Sequence, residues 1–124
     1  IDPYIGYWDW DKRFYHQDKK YPVFVERLSG YSDRFTLLKD FSDNVVDHFE
    51  DESLDFIFID GMHTYDQVLK DCRNYYPKVK PGGVFAGHDY RLIKEVKEAV
   101  DEFARSVNIE NIKETESDVW YWYK

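Results

Sequence analysis

Two hydrophobic rhythms alternate along the second half of the chain. Residues 54–60 read LDFIFID and predict a strand whose continuous apolar run, Phe56-Ile57-Phe58-Ile59, is the pattern of burial on both faces. Residues 84–87, VFAG, form a shorter run of the same kind. Between them Tyr65, Val68, Leu69, Cys72 and Tyr76 recur at helical spacing. Thr64 stands where it can cap that helix, and Pro77 where it must stop it. Residues 80–83, KPGG, predict a tight turn. Ile93, Val96, Val100, Phe103 and Val107 then share one face of a further helix. The tail predicts two strands around Glu116-Ser117-Asp118, paired as an antiparallel hairpin.

The first half is less regular. Tyr4, Tyr7, Trp8, Trp10, Phe14 and Tyr15 fall among Asp and Lys without a period, so residues 1–20 read as an aromatic loop or lid. Phe24, Val25 and Leu28 restore helical spacing, with Gly30 placed as a C-terminal cap. Residues 34–40, RFTLLKD, read as a short strand, and Ser42 can cap a short helix carrying Val45, Val46 and Phe49. Strand and helix alternate through most of the chain. That order predicts an α/β domain spanning 1–124, a mainly parallel sheet with helices on both faces and a C-terminal antiparallel hairpin.

Composition narrows the function. Apolar residues make up 43% of 124, enough for a single folded core. The formal net charge is -8, and no basic face is present to neutralise phosphates, so neither nucleic acid nor an anionic membrane is an expected partner. No apolar stretch approaches the ~20 residues of a membrane span. The single cysteine, Cys72, excludes an internal disulfide and fits a reducing, cytoplasmic location. It sits on the apolar stripe of its helix and reads as core. His16 and His48 have no supporting pattern and read as surface. The chain opens on Ile1 without an initiator Met, as a fragment would.

The chemistry concentrates where the two apolar runs stop. The first ends in Asp60, followed by Gly61 and His63, and the second in His88 and Asp89. In open parallel sheets ligands bind outside the carboxyl ends of the strands. If these strands are parallel neighbours, the two carboxylates meet at one edge. Two carboxylates with water suit Mg²⁺, whereas an imidazole ligand favours a transition metal. His63 can instead serve as a general base, since its ordinary pKa suits proton abstraction near neutrality. The plainer readings are that Asp60 and Asp89 cap the helices after their strands, that His63 packs, and that His88 bonds to backbone. Asp71 reads as a structural or capping partner.

Residues 54–90, with Asp60-Gly61, His63, Tyr65, Asp71, Pro81-Gly82-Gly83 and His88-Asp89 in order, resemble the second half of a class I S-adenosylmethionine-dependent methyltransferase. The likeness is to the small O-methyltransferase group with a DGxHxY…PGG…HD pattern. It implies a Rossmann-like fold truncated at the N-terminus, because the family's first strand and glycine-rich cofactor loop would precede Ile1. It also implies cofactor contacts. Asp2 matches the acid that accepts hydrogen bonds from the ribose, Asp40, Phe41 and Ser42 match the segment beside the adenine, and Asp60 follows the fourth strand. In metal-dependent relatives the matching positions, here Asp60, His88 and Asp89, hold Mg²⁺ or another divalent metal. His63 stands where a relative carries its lysine base.

The resemblance implies metal-assisted O-methylation of a hydroxylated small molecule or saccharide, with S-adenosylmethionine as donor. Trp8, Trp10 and Tyr15 can stack on such an acceptor, or cover apolar surface at a subunit interface. The other reading is a catalytically silent methyltransferase-like fold that self-associates without cofactor. In either case a strand at 34–40 would lack its central neighbour. It must then pair directly with 54–60, or another subunit must supply the pairing, so a homo-oligomer is expected.

Overall fold

A computed structural model describes residues 1–8 and 11–124. The chain divides into two compact units, Ile1–Val45 and Val46–Lys124.

In the first unit, β1 (Gly6–Trp8) and β2 (Phe14–His16) form an antiparallel ribbon within the aromatic segment. The rings of Tyr7 and Tyr15 stack at 5.8 Å, and Tyr15 Oη donates to Asp11 Oδ2 at 2.8 Å. Trp10, one of the stacking candidates, lies outside the described residues. Helix α1 (Tyr21–Leu28) carries Tyr21 and Phe24 against the Tyr4 ring, with centroids 5.1 and 5.8 Å away. Gly30 does not form the expected left-handed cap. It lies inside a 3-10 turn, Ser29–Tyr31, that prolongs the helix. The strand expected at 34–40 is absent. Residues 35–39 are irregular, and Asp2 N–H donates to Leu38 O at 3.2 Å. A strand needs a ladder of partners, and this segment's local pattern does not provide one. Helix α2 (Ser42–Val45) closes the unit. Asp40 Oδ1 holds its entry by accepting from Phe41 N–H and Asn44 Nδ2, both at 2.7 Å.

The second unit follows the predicted order of elements. These are β3 (Leu54–Ile59), α3 (Tyr65–Tyr75), β4 (Val79–Gly87), α4 (Lys94–Ser106), β5 (Lys113–Glu114) and β6 (Trp120–Tyr123). The sheet order is β3-β4-β6-β5, with β3 and β4 parallel and the C-terminal pair antiparallel. Alternation sends Ile57, Ile59, Phe85, Trp120 and Trp122 to one face, where Val68, Leu69 and Cys72 of α3 and Val96, Val100 and Phe103 of α4 cover them. Phe85, Trp120, Val100 and Cys72 are fully buried. Each large apolar side chain so buried stabilises the fold by roughly 1.5–3 kcal/mol.

Three local expectations are corrected. The strand at 54–59 is not buried on both faces. It lies at the edge of the sheet, with Phe56 57% and Phe58 43% exposed on the face away from the helices. An unbroken apolar run signals burial only when a neighbour exists on every side. The KPGG segment is not a turn between elements but an irregularity inside β4, where the register jumps between Leu54↔Val79 and Phe56↔Val84. Gly82 takes φ +80 there, a backbone state glycine adopts without penalty. The bulge is held by Gly82 N–H donating to Lys124 O and Lys124 N–H to Gly83 O. Finally, Thr64 occupies the N-cap position of α3 but makes no side-chain cap. Glu95 of α4 takes that role, accepting from Tyr65 N–H at 2.9 Å.

Candidate functional site

The parallel register Ile59↔Gly87 brings the ends of β3 and β4 level, and His88 N–H extends the ladder by donating to Ile59 O at 3.1 Å. Asp60 and Asp89 therefore leave the sheet at the same edge, as their positions after two apolar runs predict. Gly61 then turns the chain back, and His63 reaches the same place just before α3 begins. His63 Nε2 lies 3.0 Å from Asp89 Oδ2 and 3.8 Å from Asp60 Oδ1. One donor atom from each of Asp60, His63 and Asp89 falls within 4.8 Å of the others. Two hard oxygens and an imidazole nitrogen so gathered fit a divalent cation such as Mn²⁺, or Mg²⁺ on the carboxylates alone.

His88 is turned differently. Its Nε2–H donates to Ser117 O at 2.9 Å, and its Nδ1 lies 3.3 Å from Asp89 Oδ2. Both ring nitrogens thus face protein groups, and His88 stands behind Asp89 rather than among the three converging donors. Burial acts to lower the His88 pKa, but the Asp89 carboxylate, the Ser117 carbonyl and Asp60 together hold it above the ordinary value. The neighbouring His63 imidazole lowers the Asp60 pKa, with the His88 charge assisting against partial burial.

The side chains differ in access. Asp60 is half exposed, while the His63 and Asp89 side chains are 20% and 18% exposed. Ile59, Gly61, Val68, Val96 and Trp120 line an apolar hollow beside them. Asp71, on α3, is buried, accepts from Gln67 Nε2 at 3.2 Å, and turns a carboxylate oxygen toward Gly61. Cys72 is fully buried beside it, and burial drives its thiol pKa far up, as a core residue requires.

The remaining sequence candidates belong to the first unit. Asp2 Oδ1 accepts from Tyr4 N–H at 2.6 Å, and the hydrogen bond from Asp2 N–H to Leu38 O places it near the segment that leads to Asp40, Phe41 and Ser42. Phe41 is half exposed. Two residues of the site region escaped sequence reasoning. Asp118 and Arg91 contact each other, and Asp118 also accepts from Leu92 N–H, across 26 or more residues of sequence and just beyond the His88–Asp89 segment; a single chain carries no periodic signal for such a pair.

Among the described residues no helix is long and apolar enough to cross a membrane. A protein of Sinorhizobium fredii, the uncharacterized protein y4gI, is 31% identical over 87 residues, which are 68% of this chain and 10% of that protein. The solved O-methyltransferase NovP superposes with a TM-score of 0.54 at 28% identity, over 59% of this chain and 30% of its own. A Corynebacterium glutamicum protein superposes with a TM-score of 0.61 at 16% identity, over 87% of this chain and 56% of its own, a likeness of fold alone. The chain thus spans about a tenth of the curated relative, and roughly a third to a half of these solved ones. A family model described as "Methyltransferase domain" matches residues 2–90, a span that holds Asp60, His63, His88 and Asp89. With the parallel β3–β4 edge and its converging carboxylates, that match makes this chain a member of the methyltransferase domain family.

Proposed function

We propose that the chain carries the catalytic edge of an S-adenosylmethionine-dependent O-methyltransferase acting on a hydroxylated small molecule or saccharide. The observation that carries this reading is the convergence of Asp60, His63 and Asp89 at the ends of two parallel strands. Asp2, Asp40, Phe41 and Ser42 are the residues we assign to the methyl donor's adenosine, through ribose hydrogen bonds and adenine contact. The sulfonium methyl of the donor is displaced in line by the acceptor oxygen, so the protein's task is to align and deprotonate that oxygen.

Asp60 and Asp89 are the residues we assign to a divalent cation, with His88 supporting Asp89 from behind. With a cation held there, an acceptor hydroxyl would be acidified. His63 takes the hydroxyl proton on Nε2, the nitrogen that faces both carboxylates. The same atom cannot both bind the cation and accept that proton, which makes the assignment testable. Isothermal titration with Mn²⁺ and with S-adenosylhomocysteine, beside transfer of labelled methyl to a panel of catechols and saccharides, separates the two roles. His63→Ala should lower turnover by roughly 10²–10⁴-fold while leaving Mn²⁺ affinity near that of the parent. Equal turnover would remove His63 from the chemistry, and loss of Mn²⁺ binding would make it a ligand instead.

A second reading is supported by the open edge of β3, where Phe56 and Phe58 stand exposed on a strand whose sequence suits a sheet interior. In that reading the chain self-associates without cofactor and is catalytically silent. Failure to bind S-adenosylhomocysteine would favour it.

A further inference from the structure

We infer that Asp118, with the turn at 115–119, is a positioning device for the His88–Asp89 segment. The inference deepens the cation reading above and rests on it for its effect on metal affinity, though not for its geometry.

Asp89 has φ +61, a left-handed state that a non-glycine residue keeps only when its surroundings hold it there. The strand side holds it through His88 N–H on Ile59 O. The other side is held by Asp118. Asp118 is 6% exposed, and its carboxylate accepts from Arg91 N–H at 2.7 Å and from Leu92 N–H at 3.3 Å. These are the second and third main-chain donors after Asp89, so one buried anion fixes the path by which the chain leaves the site. Arg91 closes the link in the opposite direction. Its Nη2 donates to Thr115 O at 3.0 Å and Glu116 O at 2.9 Å, and its Nε lies 3.4 Å from Asp118 Oδ1. Ser117 O then receives His88 Nε2–H.

The turn is itself rigid enough to serve as a brace. Thr115 N–H donates to Val119 O at 2.9 Å, Val119 N–H to Thr115 Oγ1 at 3.2 Å, and Asp118 N–H to Thr115 O at 3.3 Å. It is anchored to the sheet by β6, whose Trp120 and Trp122 are buried. The C-terminal hairpin is therefore tied to the site: Asp118 sets the backbone after Asp89, Ser117 orients the His88 ring, and that ring faces Asp89 Oδ2. None of these groups needs to touch an acceptor or a methyl donor. Their effect is to keep Asp89 Oδ2 within 3.0 Å of His63 Nε2. Groups that orient metal ligands in this way typically cost about 10–100-fold in metal affinity when removed.

The test uses Asp118→Ala, Asp118→Asn and Arg91→Ala, with Mn²⁺ alone as the probe and two readouts. The first is Mn²⁺ affinity by titration. The second is the long-range ¹⁵N–¹H spectrum of the imidazoles, which reports whether His88 carries its proton on Nε2. Asp118→Ala should weaken Mn²⁺ binding by about 10–100-fold and release His88 from the Nε2–H form, with the His63 signals still present. Asp118→Asn, whose amide oxygen still accepts from Arg91 N–H, should recover much of both. Arg91 is exposed enough that its alanine variant leaves the core intact. It should show the same His88 change more weakly, which covers the case in which Asp118→Ala fails to fold. Parent-like Mn²⁺ affinity and an unchanged His88 spectrum in both alanine variants would overturn the inference. If the parent binds no Mn²⁺, the cation reading fails and the positioning role is judged on His88 alone: release supports it, and retention overturns it.

Discussion

Gly87 links the fold to the site, and adding one methyl there should damage both. Gly87 is the last residue of β4, opposite Ile59 of β3 and Trp120 of β6. A Cβ at this position would stand 2.6 Å from Ile59 O and 2.6 Å from Trp120 Cε2. Neither neighbour can yield. The carbonyl belongs to the strand backbone and accepts from His88 N–H, and the indole is fully buried against Phe85 and Trp122, with ring centroids 5.6 and 5.2 Å away. Overpacking a tight core costs about 1–3 kcal/mol, and a contact blocked on two sides belongs at the upper end. With a urea slope of ~1–3 kcal/mol per molar, a loss near 3 kcal/mol moves the midpoint down by roughly 1–3 M. Relief must come from parting β3 and β4, which moves Asp60 away from Asp89, so Mn²⁺ affinity should fall with stability. Urea unfolding followed by tryptophan fluorescence, beside Mn²⁺ titration of the folded fraction, measures both. A Gly87→Ala variant with the parent's midpoint and affinity would refute the close β3–β4–β6 contact and the dependence of the site on it.

Two further outcomes are expected. The folded state raises the His88 pKa above its ordinary value of 6.5. The stability this contributes is complete below that value and is lost as pH rises through the folded pKa. Thermal midpoints should therefore decline as pH climbs from about 6.5 into the alkaline range, and His88→Gln should flatten the decline; an unchanged slope in the variant would show that other groups cause it. The exposed edge of β3 predicts association at micromolar concentration, and Phe58→Lys should shift the sedimenting species toward monomer, because a charge on an open strand edge opposes pairing. A parent chain that sediments as a monomer would dismiss the edge as a contact surface.

The sequence alone determined the order β3-α3-β4-α4 and the meeting of Asp60 with Asp89. Each carboxylate ends an apolar run, and runs joined by a helical crossover pair in parallel, so both had to emerge at one edge. It also placed Cys72 in the core, since helical spacing reports which side of a helix meets apolar neighbours. What it could not supply was the identity of those neighbours. The run at 54–59 announces a buried strand, yet burial depends on what lies beside it, and the structure leaves that strand at an edge with Phe56 and Phe58 exposed. Thr64 has the chemistry of a cap, but Glu95, thirty residues away, holds Tyr65 N–H because α4 packs alongside. The proline-glycine segment bends the chain in either case; only its pairing with Lys124 makes it a bulge inside β4. His88 could be read from the sequence as a ligand or as a backbone partner, and the hairpin brings Ser117 O to its ring. Local pattern determines what each segment can do with its own backbone. The contacts that choose among those options join residues distant in sequence, and only the closed tertiary structure creates them.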